Sequence, residues 1–289
     1  MLLDRVKNKE YAYSKKALFR SPATPLNKLK AEIAEFADKK QQEIEELKKL
    51  ETFRREFLAD VSHELKTPIF AAQGFVHTLI DGAINDATVR DKFLAKAAHS
   101  LDGLNMLVQD LITISQLEIG EIKMHFTNFD LQQLTEDIFD QLEETAKERK
   151  TKLKFYKYNP RSCYVYADKM RIGQVMTNLI VNAIKYGKDN GTVEVRFNIE
   201  GDEVTVFVKD DGPGIEAKHH KRIFERFYRV DKSRSKDKGG TGLGLAIVKH
   251  IVEAHGQKVH IESEPGQGTT FYFKIKKGKV LNESAAVKK

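Results

Sequence analysis

The sequence predicts an α+β protein: a helical hairpin that forms a dimeric four-helix bundle, followed by an α/β sandwich domain. Three observations lead to this fold class. Apolar residues repeat in one heptad frame through the first part of the chain, and a second amphipathic run follows a turn-like segment at 81–88. Near Gly120 the period changes, and helical segments then mix with runs in which apolar and polar residues alternate.

Length and composition are those of a folded protein of about two domains. The chain has 289 residues, and 40% of them are apolar, which excludes a disordered chain. No run approaches the roughly 20 apolar residues of a transmembrane helix, and the start, MLLDRVKNKEYAY, is too polar for a signal peptide. Cys163 is the only cysteine, which excludes an intrachain disulfide framework and a cysteine-based zinc site. We therefore expect a soluble chain in a reducing cytoplasm.

The charge pattern argues against a nucleic-acid partner. The net charge of +7 comes from 49 basic and 42 acidic residues, which mostly interleave along helical faces. Nucleic-acid binding requires basic clusters interleaved with aromatic residues. A solvated surface is the better interpretation, and no nucleic acid is expected as a partner.

The first 52 residues form two predicted segments. Residues 1–28 are basic and irregular, and are predicted to be a linker or a juxtamembrane stub. Residues 29–52 are predicted to be a coiled-coil signalling helix, with Glu/Lys pairs at i, i+4 spacing in EIEELKKLE. The basic start is compatible with membrane attachment through an upstream segment, and equally with a soluble protein driven by a partner.

Residues 53–120 carry the predicted hairpin. The heptad frame that enters its first helix has these residues at positions a and d: Ile33, Ala37, Ile44, Leu47, Leu58, Val61, Leu65, Pro68, Ala72, Phe75 and Leu79. The second helix carries an apolar stripe of its own: Leu94, Ala97, Leu101, Leu104, Val108 and Leu111. One hairpin cannot cover its own stripe, so two hairpins are expected to pair as a four-helix bundle. A homodimer is therefore predicted.

Residues 121–277 are predicted to form the α/β domain. Helical patterns lie at about 131–149, 168–186 and 242–255. The strand-like runs are TVEVRFNI (192–199), EVTVFVKD (203–210), KVHIES and TTFYFKIK. These elements predict an antiparallel or mixed sheet with one apolar face. Residues 278–289 are predicted to be a disordered tail.

The segment FLADVSHELKTP (57–68) carries the first candidate chemistry. The heptad frame puts His63 at position f, which points furthest into solvent. An exposed imidazole with an ordinary pKa of ~6.5 is largely neutral near pH 7, so it can act as a nucleophile. Glu64 can hold the other ring nitrogen and act as a base. Pro68 crowds the carbonyl one turn back, so the helix is expected to bend beside His63.

Two further strings suit a nucleotide site. Asn178 and Asn182 lie at i, i+4 on one helix face and can present amide oxygens to Mg²⁺. In DDGPGI (210–215), Gly212 and Gly214 permit a tight turn, and the Asp210 carboxylate can accept a hydrogen bond from an adenine amine.

A glycine-rich string completes the pattern. GGTGLGLAIV (239–248) leads into a helix, and backbone N–H groups at a helix start form an anion site suited to phosphates. It lacks the Gly-Lys-Ser/Thr ending of a P-loop and does not follow a strand as a dinucleotide fingerprint does. The polar stretch before it, IFERFYRVDKSRSKDK, is predicted to be a mobile lid.

The string SHELKTP resembles the H box of sensor histidine kinases residue for residue. The strings from Asn178 to Phe271 resemble, in order, the N, G1, F, G2 and G3 boxes of the histidine-kinase catalytic domain. That domain is related to the ATPases of DNA gyrase, heat-shock chaperones and mismatch repair. The resemblance implies His63 as phosphoacceptor and Glu64 as acid/base. It also implies that Thr67, in an E-x-x-T pattern, positions the water that dephosphorylates a response regulator.

The same resemblance implies ATP and Mg as cofactors. It gives Asn182 as the Mg ligand, Asn178 as a neighbouring polar or catalytic group and Lys185 as a residue near phosphate. It places Tyr186 beside the adenine, Asp210 on the adenine amino group and Arg229 near the γ-phosphate. The remaining implied nucleotide-binding residues are Gly212, Gly214, Gly240, Gly242, Leu243, Gly244 and Thr270.

The expected function is therefore that of a sensor histidine kinase with a homodimeric core, whose partner is a response regulator receiver domain. Two rivals stay open. An ATPase of the wider superfamily that performs mechanical work explains the nucleotide boxes but not SHELKTP. A scaffold that dimerises and binds a regulator without catalysis does not explain the intact nucleotide boxes. Whether phosphate moves within a chain or across the dimer depends on the handedness of the 81–88 turn and is left open.

Overall fold

The computed structural model describes residues 25–157, 162–230 and 240–279; at Leu50 and Phe53 it describes the backbone alone. The chain divides into two units, Met1–His63 and Glu64–Lys289. Within the described ranges, no helix has a stretch long and apolar enough to cross a membrane.

The first helix, α1 (Pro25–Ile80), begins earlier than the sequence pattern predicts. We predict a linker up to residue 28, but Pro25 occupies the first helical position. Proline suits that position because its φ is already near the helical value and its missing N–H would have no partner there. Residues 1–24, the rest of the predicted linker, lie outside the described ranges.

The described part of the first unit is the N-terminal part of α1, up to His63. Its surface carries ion pairs at one-turn spacing, such as Lys39 with Glu35, which stabilise an exposed helix by only about 0.3–0.5 kcal/mol each. On its apolar side, Ile33, Leu47 and Leu58 are 41%, 64% and 54% exposed. These positions of the heptad frame are therefore not covered by the part of the chain that the structure describes.

The hairpin turn lies where the sequence predicts it. After α1, Gly82 adopts a positive φ of 119°, and a short 3-10 turn (Ala83–Asn85) follows. The Asp86 side chain then caps helix α2 (Ala87–Ile119) by accepting hydrogen bonds from the backbone N–H groups of Thr88 and Val89. Gly120 ends α2 in the left-handed conformation, which glycine adopts without a steric penalty.

Helix α2 carries two apolar stripes, and the sequence pattern does not separate them. Leu94, Leu101 and Val108 belong to the predicted stripe but are 51%, 53% and 38% exposed. Leu107 and Ile114, which are not in that stripe, are buried in the core of the C-terminal domain. Periodicity shows that a helix has apolar faces, but it does not show which face is covered by the same chain.

The described residues of the C-terminal domain form two sheets and four α-helices. Its strands are β1 (Phe126–Asp130), β2 (Lys152–Phe155), β3 (Tyr164–Asp168), β4 (Thr192–Glu200), β5 (Glu203–Asp210), β6 (Val259–Glu264) and β7 (Gly268–Lys276). Its helices are α3 (Leu131–Gln141), α4 (Glu143–Glu148), α5 (Lys169–Tyr186) and α6 (Gly244–Ala254). The five-stranded sheet has the order β2-β4-β5-β7-β6, with β2 parallel to β4 and the other neighbours antiparallel. β1 and β3 form a separate antiparallel pair.

Helices α5 and α6 pack on each other and on one face of the large sheet. Alternation along β5 shows why: Val204, Val206 and Val208 are buried, whereas Lys209 points to the other face and is exposed. The predicted α+β class and the mixed sheet with one apolar face are confirmed. Strands β1, β2 and β3 are absent from the sequence prediction, and the predicted helix 131–149 is interrupted at Leu142.

The end of the domain lies later than predicted. The backbone N–H of Gly278 donates to the Tyr164 carbonyl, and that of Lys279 donates to Oδ1 of Asn128. The prediction of a disordered tail from residue 278 is therefore wrong for these two residues, because they extend the β1–β3 layer. Residues 280–289 lie outside the described ranges.

Candidate functional site

The candidate phosphoacceptor side chain is on α1. His63 is exposed, as its heptad position predicts, and it is the last residue of the first unit. In the second unit, Glu64 is partly buried, and Thr67 is exposed one turn after His63 in sequence. The helix is continuous through Pro68.

Helix α5 presents the candidate magnesium and phosphate residues. Its start is fixed by Asp168, whose carboxylate accepts hydrogen bonds from the backbone N–H groups of Arg171 and His125. One face of α5 is buried in the core, and the partly buried border of that face carries Asn178 and Asn182. The Asn178 amide nitrogen donates to the carbonyl of Gly244 at 3.4 Å. α5 and the start of α6 therefore face each other where the nucleotide is expected.

Asp210 is a buried carboxylate at the end of β5. Its side chain is 8% exposed and accepts backbone hydrogen bonds from Gly212, at 2.8 Å, and from Thr269. Burial, which outweighs these hydrogen bonds, raises the pKa of Asp210 to about 6. A side chain at position 212 would stand 2.8 Å from the Asp210 carboxylate, so glycine is required there.

Thr270 does not lie beside Asp210. The strand register pairs Asp210 with Thr269, whereas Thr270 pairs with Lys209 on the opposite face of the sheet. The buried Thr269, whose hydroxyl lies 3.0 Å from that of Ser263, lies opposite Asp210 instead, and the nucleotide-binding role of Thr270 stays a prediction. The alternation of buried Phe271 and Phe273 along β7 is the signal that gives this register.

Lys185 lies at the centre of a cationic group. Burial, reinforced by the nearby charges of Arg229 and Arg149, lowers the pKa of Lys185 to about 8. Its ammonium lies against Gly240 and 5.6 Å from the centre of the Tyr186 ring. Arg149, which the sequence analysis did not single out, donates to the carbonyl of Lys185 at 3.1 Å. Three cations near one another favour a polyanion such as a triphosphate.

Arg229 joins two parts of the candidate site. Its guanidinium donates to Oε2 of Glu64 at 3.1 Å and to the carbonyl of Gly240. The two side chains of this ion pair are 15% and 29% exposed. Two residues that the sequence assigns to different motifs are therefore in direct contact.

The glycine-rich segment runs from the lid to α6. Gly242 has a φ of 70°. Its carbonyl accepts a hydrogen bond from the backbone N–H of Phe227, which holds the first part of the lid segment against the glycine-rich segment. Leu243 is fully buried, and α6 begins at Gly244. Thr241 between them donates its hydroxyl hydrogen to Asp110 on α2 at 2.7 Å. Residues 231–239, which include the second half of the predicted lid, lie outside the described ranges.

Family models match two parts of the chain. Residues 53–120 match the His Kinase A phospho-acceptor domain, and residues 167–279 match the histidine kinase-, DNA gyrase B- and HSP90-like ATPase. The sensor histidine kinase WalK of Bacillus subtilis is 35% identical to the chain over 236 residues, which are 81% of this chain and 38% of WalK. The chain belongs to the sensor histidine kinases.

Solved structures of histidine kinases resemble this kinase chain in fold. The histidine kinase AdeS of Acinetobacter baumannii is 28% identical, with a TM-score of 0.61 over 75% of this chain and 98% of that one. The histidine kinase ThkA, solved in complex with the response regulator protein TrrA, is 26% identical, with a TM-score of 0.64 over 83% of this chain and 66% of that one. In this chain the phospho-acceptor match ends at the cap of α2, and the ATPase match begins in β3 and ends at Lys279.

Proposed function

We propose that this chain transfers the γ-phosphate of ATP to His63 and passes it to an aspartate of a response regulator receiver domain. The ion pair between Arg229 and Glu64 supports this best. It places a cation of the ATP-binding domain beside the residue that follows the proposed phosphoacceptor. Because the chain spans 38% of WalK, the input and the activity of any longer protein are not part of this proposal.

In the proposed first step, a ring nitrogen of His63 attacks the γ-phosphorus. The N–P bond forms, the bond to the bridging oxygen breaks, and ADP leaves with that electron pair. Glu64 holds the proton of the other ring nitrogen. Lys185 and Arg229 neutralise charge on the phosphate oxygens, since positioning and charge neutralisation carry most of the catalysis in phosphoryl transfer. Asp210 accepts a hydrogen bond from the adenine amine.

The residues fit magnesium as the accompanying ion. Mg²⁺ takes one or two protein oxygens and completes its shell with substrate phosphates and water. Asn182 offers an amide oxygen one turn after Asn178, whose amide nitrogen donates to the carbonyl of Gly244. The described residues contain no group of three or more His, Cys, Asp or Glu able to cage an ion, which agrees with a site completed by phosphate. When bound, the ion supplies charge neutralisation on the phosphates.

The second step uses the lability of the N–P bond on His63. An aspartate oxygen of the regulator attacks phosphorus, the N–P bond breaks, and the imidazole regains a proton. The complex of ThkA with TrrA supports a response regulator as partner. On α1, Phe70 is 64% exposed and can supply an apolar contact to that partner.

Two further properties belong to this proposal. Thr67, exposed on α1, positions a water that removes phosphate from the regulator, so the chain is both kinase and phosphatase. The chain also forms a homodimer, because the stripe of Leu94, Leu101 and Val108 is left exposed by its own hairpin. Pairing two such stripes produces a four-helix bundle.

Incubation with γ-labelled ATP tests the proposed function against its rivals. We expect label that is labile in acid and stable in alkali, and that disappears in His63→Gln. His77→Gln is the matched control, because His77 is exposed on the same helix two heptads later. ATP hydrolysis without labelling would indicate a mechanical ATPase, and the absence of both would indicate a scaffold.

A further inference from the structure

The second hairpin helix buries one apolar face against the ATP-binding domain of the same chain. Leu107 and Ile114 are 4% and 1% exposed and belong to the same hydrophobic core as Leu243. Leu111 and Leu117 are partly buried against that core, and α2 packs on α6. Their spacing of three and four residues places these four side chains on one helix face. This face of α2 is therefore a docking surface for the ATP-binding domain.

Polar contacts accompany the apolar face at two levels of α2. The first is the hydrogen bond from Thr241 to Asp110. Two turns later, Glu118 forms an ion pair with Arg226 and lies 3.4 Å from Nε2 of His250. The Glu118 and Arg226 side chains are 30% and 15% exposed, so salt screens this pair less than an ion pair on the open surface.

Glu118 contacts two elements that border the proposed phosphate site. Arg226 follows the 3-10 turn Arg222–Phe224 and lies three residues before Arg229. His250 is on α6, whose start carries the glycine-rich segment. One carboxylate on α2 therefore restrains both the segment that holds Arg229 against Glu64 and the helix expected to bind phosphate at its N-terminus.

We propose that Glu118 is a positioning residue for phosphorylation of His63, and that it docks the chain's own ATP-binding domain on α2 through Arg226. The inference rests on the proposed kinase activity. Because Glu118 is separate from the residues proposed to hold ATP, it acts on the rate of phosphoryl transfer and not on ATP binding. Glu118 and Arg226 belong to one chain, so the proposed docking joins α2 to the ATP-binding domain of the same chain.

Charge reversal tests the contact. Glu118→Arg and Arg226→Glu, each alone, bring like charges together, and we expect each to lower the autophosphorylation rate at saturating ATP about tenfold. The KM for ATP should stay within about twofold of wild type, because the nucleotide site is separate. The double variant on one chain restores an ion pair of reversed polarity and should recover most of the rate. Glu118→Gln removes the charge with little change of shape and should give an intermediate loss.

Mixed dimers test whether docking occurs within the chain. Chains with only Glu118→Arg are combined with chains with only Arg226→Glu. Intrachain docking leaves a repulsive pair on every chain, so the mixture should stay as slow as the single variants. Recovery in the mixture would show that docking crosses the dimer, and it would overturn the inference.

Glu121→Arg is the matched control. Glu121 is exposed just after α2, and its reversal adds the same charge nearby. ATP affinity, measured for each variant, shows whether the nucleotide site is folded. If a charge reversal abolishes ATP binding, the autophosphorylation rate of Glu118→Gln tests the positioning role instead. A normal or faster rate in the Glu118 and Arg226 variants would overturn the positioning role. Wild-type protein without label on His63 would contradict the proposed function itself, so the two failures are distinct.

Discussion

Asp210 shows how burial sets the chemistry of a single residue. Its carboxylate has a pKa raised to about 6 by burial. The folded chain therefore binds more protons at this site than the unfolded chain between about pH 4 and 6. The contribution of Asp210 to the free energy of unfolding is largest below its ordinary pKa and falls as the pH rises through 6. The proposed hydrogen bond from the adenine amine to Asp210 needs the opposite state, the ionised carboxylate.

The first prediction follows from this requirement. Below pH 6, we expect nucleotide affinity to fall by up to about tenfold per pH unit, because binding must first remove the proton from Asp210. Titration calorimetry with ADP between pH 5 and 8 measures this. In Asp210→Asn the affinity is lower, but the component of the pH dependence due to this residue disappears. The phosphates of ADP titrate equally in both proteins. Identical profiles of affinity against pH in wild type and Asp210→Asn would therefore contradict the proposed role of Asp210 in nucleotide binding.

Thr67 supports a second prediction at this scale. In Thr67→Ala, dephosphorylation of the phosphorylated regulator is expected to fall about tenfold or more relative to autophosphorylation, because the water loses its positioning hydroxyl. Thr67→Ser keeps the hydroxyl and should retain most of the phosphatase rate. Phosphate release from purified phospho-regulator gives the measurement. Equal losses in both variants would point to a packing effect instead.

Single residues also show the limit of sequence motifs. Asp210, Asn178 and Lys185 were identified from their strings as candidate nucleotide-site residues, and that assignment stays a prediction. Thr270 was identified as a candidate nucleotide-binding residue, and the pairing of β5 with β7 puts its neighbour Thr269 opposite Asp210. A shift of one residue in a strand exchanges the two faces of the sheet, so a motif alone does not give the side-chain direction.

On the scale of elements, the outer face of the large sheet carries a cross-strand ladder. Arg196 lies over the Phe207 ring at 4.0 Å, Phe207 stacks on Tyr272, and Tyr272 stacks on His260. Each neighbouring pair is directly opposite in the strand register. The ladder joins β4, β5, β7 and β6 on the side away from the helices.

The third prediction concerns this ladder. Tyr272→Ala removes two ring contacts and should lower the free energy of unfolding by about 1–2 kcal/mol. Lys274→Ala, on the same face two residues later, removes an exposed ion pair with Glu203 and should lower the free energy of unfolding much less. Urea denaturation of both variants provides the comparison. Equal losses would show that the stacking does not stabilise the sheet.

Elements differ in how well the sequence predicts them. Strands β4 and β5 alternate apolar and polar residues over eight or more positions, and both were predicted. Strands β1, β2 and β3 have four or five residues each and were missed. Their pairing depends on distant partners, because β1 pairs with β3 and β2 pairs with β4. Short strands carry too little pattern to be recognised without those partners.

At the scale of the whole molecule, the two faces of α2 have different tasks. Leu107 and Ile114 are buried against the ATP-binding domain, whereas the exposed stripe of Leu94, Leu101 and Val108 is available for a second chain. The same helix therefore connects the proposed dimer with the docking of the ATP-binding domain.

The fourth prediction tests the exposed stripe. Leu101→Lys should weaken the dimer by about 1.5–3 kcal/mol per chain, because a leucine expected to be buried in the bundle is replaced by a charge. Asp102→Lys introduces the same side chain at the next, exposed position and should leave dimerisation nearly unchanged. Sedimentation over a concentration series distinguishes the two. A wild-type chain that sediments as a monomer at micromolar concentration would contradict the proposed homodimer.

The sequence by itself determined the family, the order of the motifs and the long helices and strands, because these depend on residue type and on periodicity along the chain. The tertiary structure decided which apolar face of α2 is covered, which of two adjacent threonines lies beside Asp210, and where Arg229 binds. Arg229 pairs with Glu64 across 165 positions of sequence. Such contacts arise from packing between distant segments, and no local pattern records them.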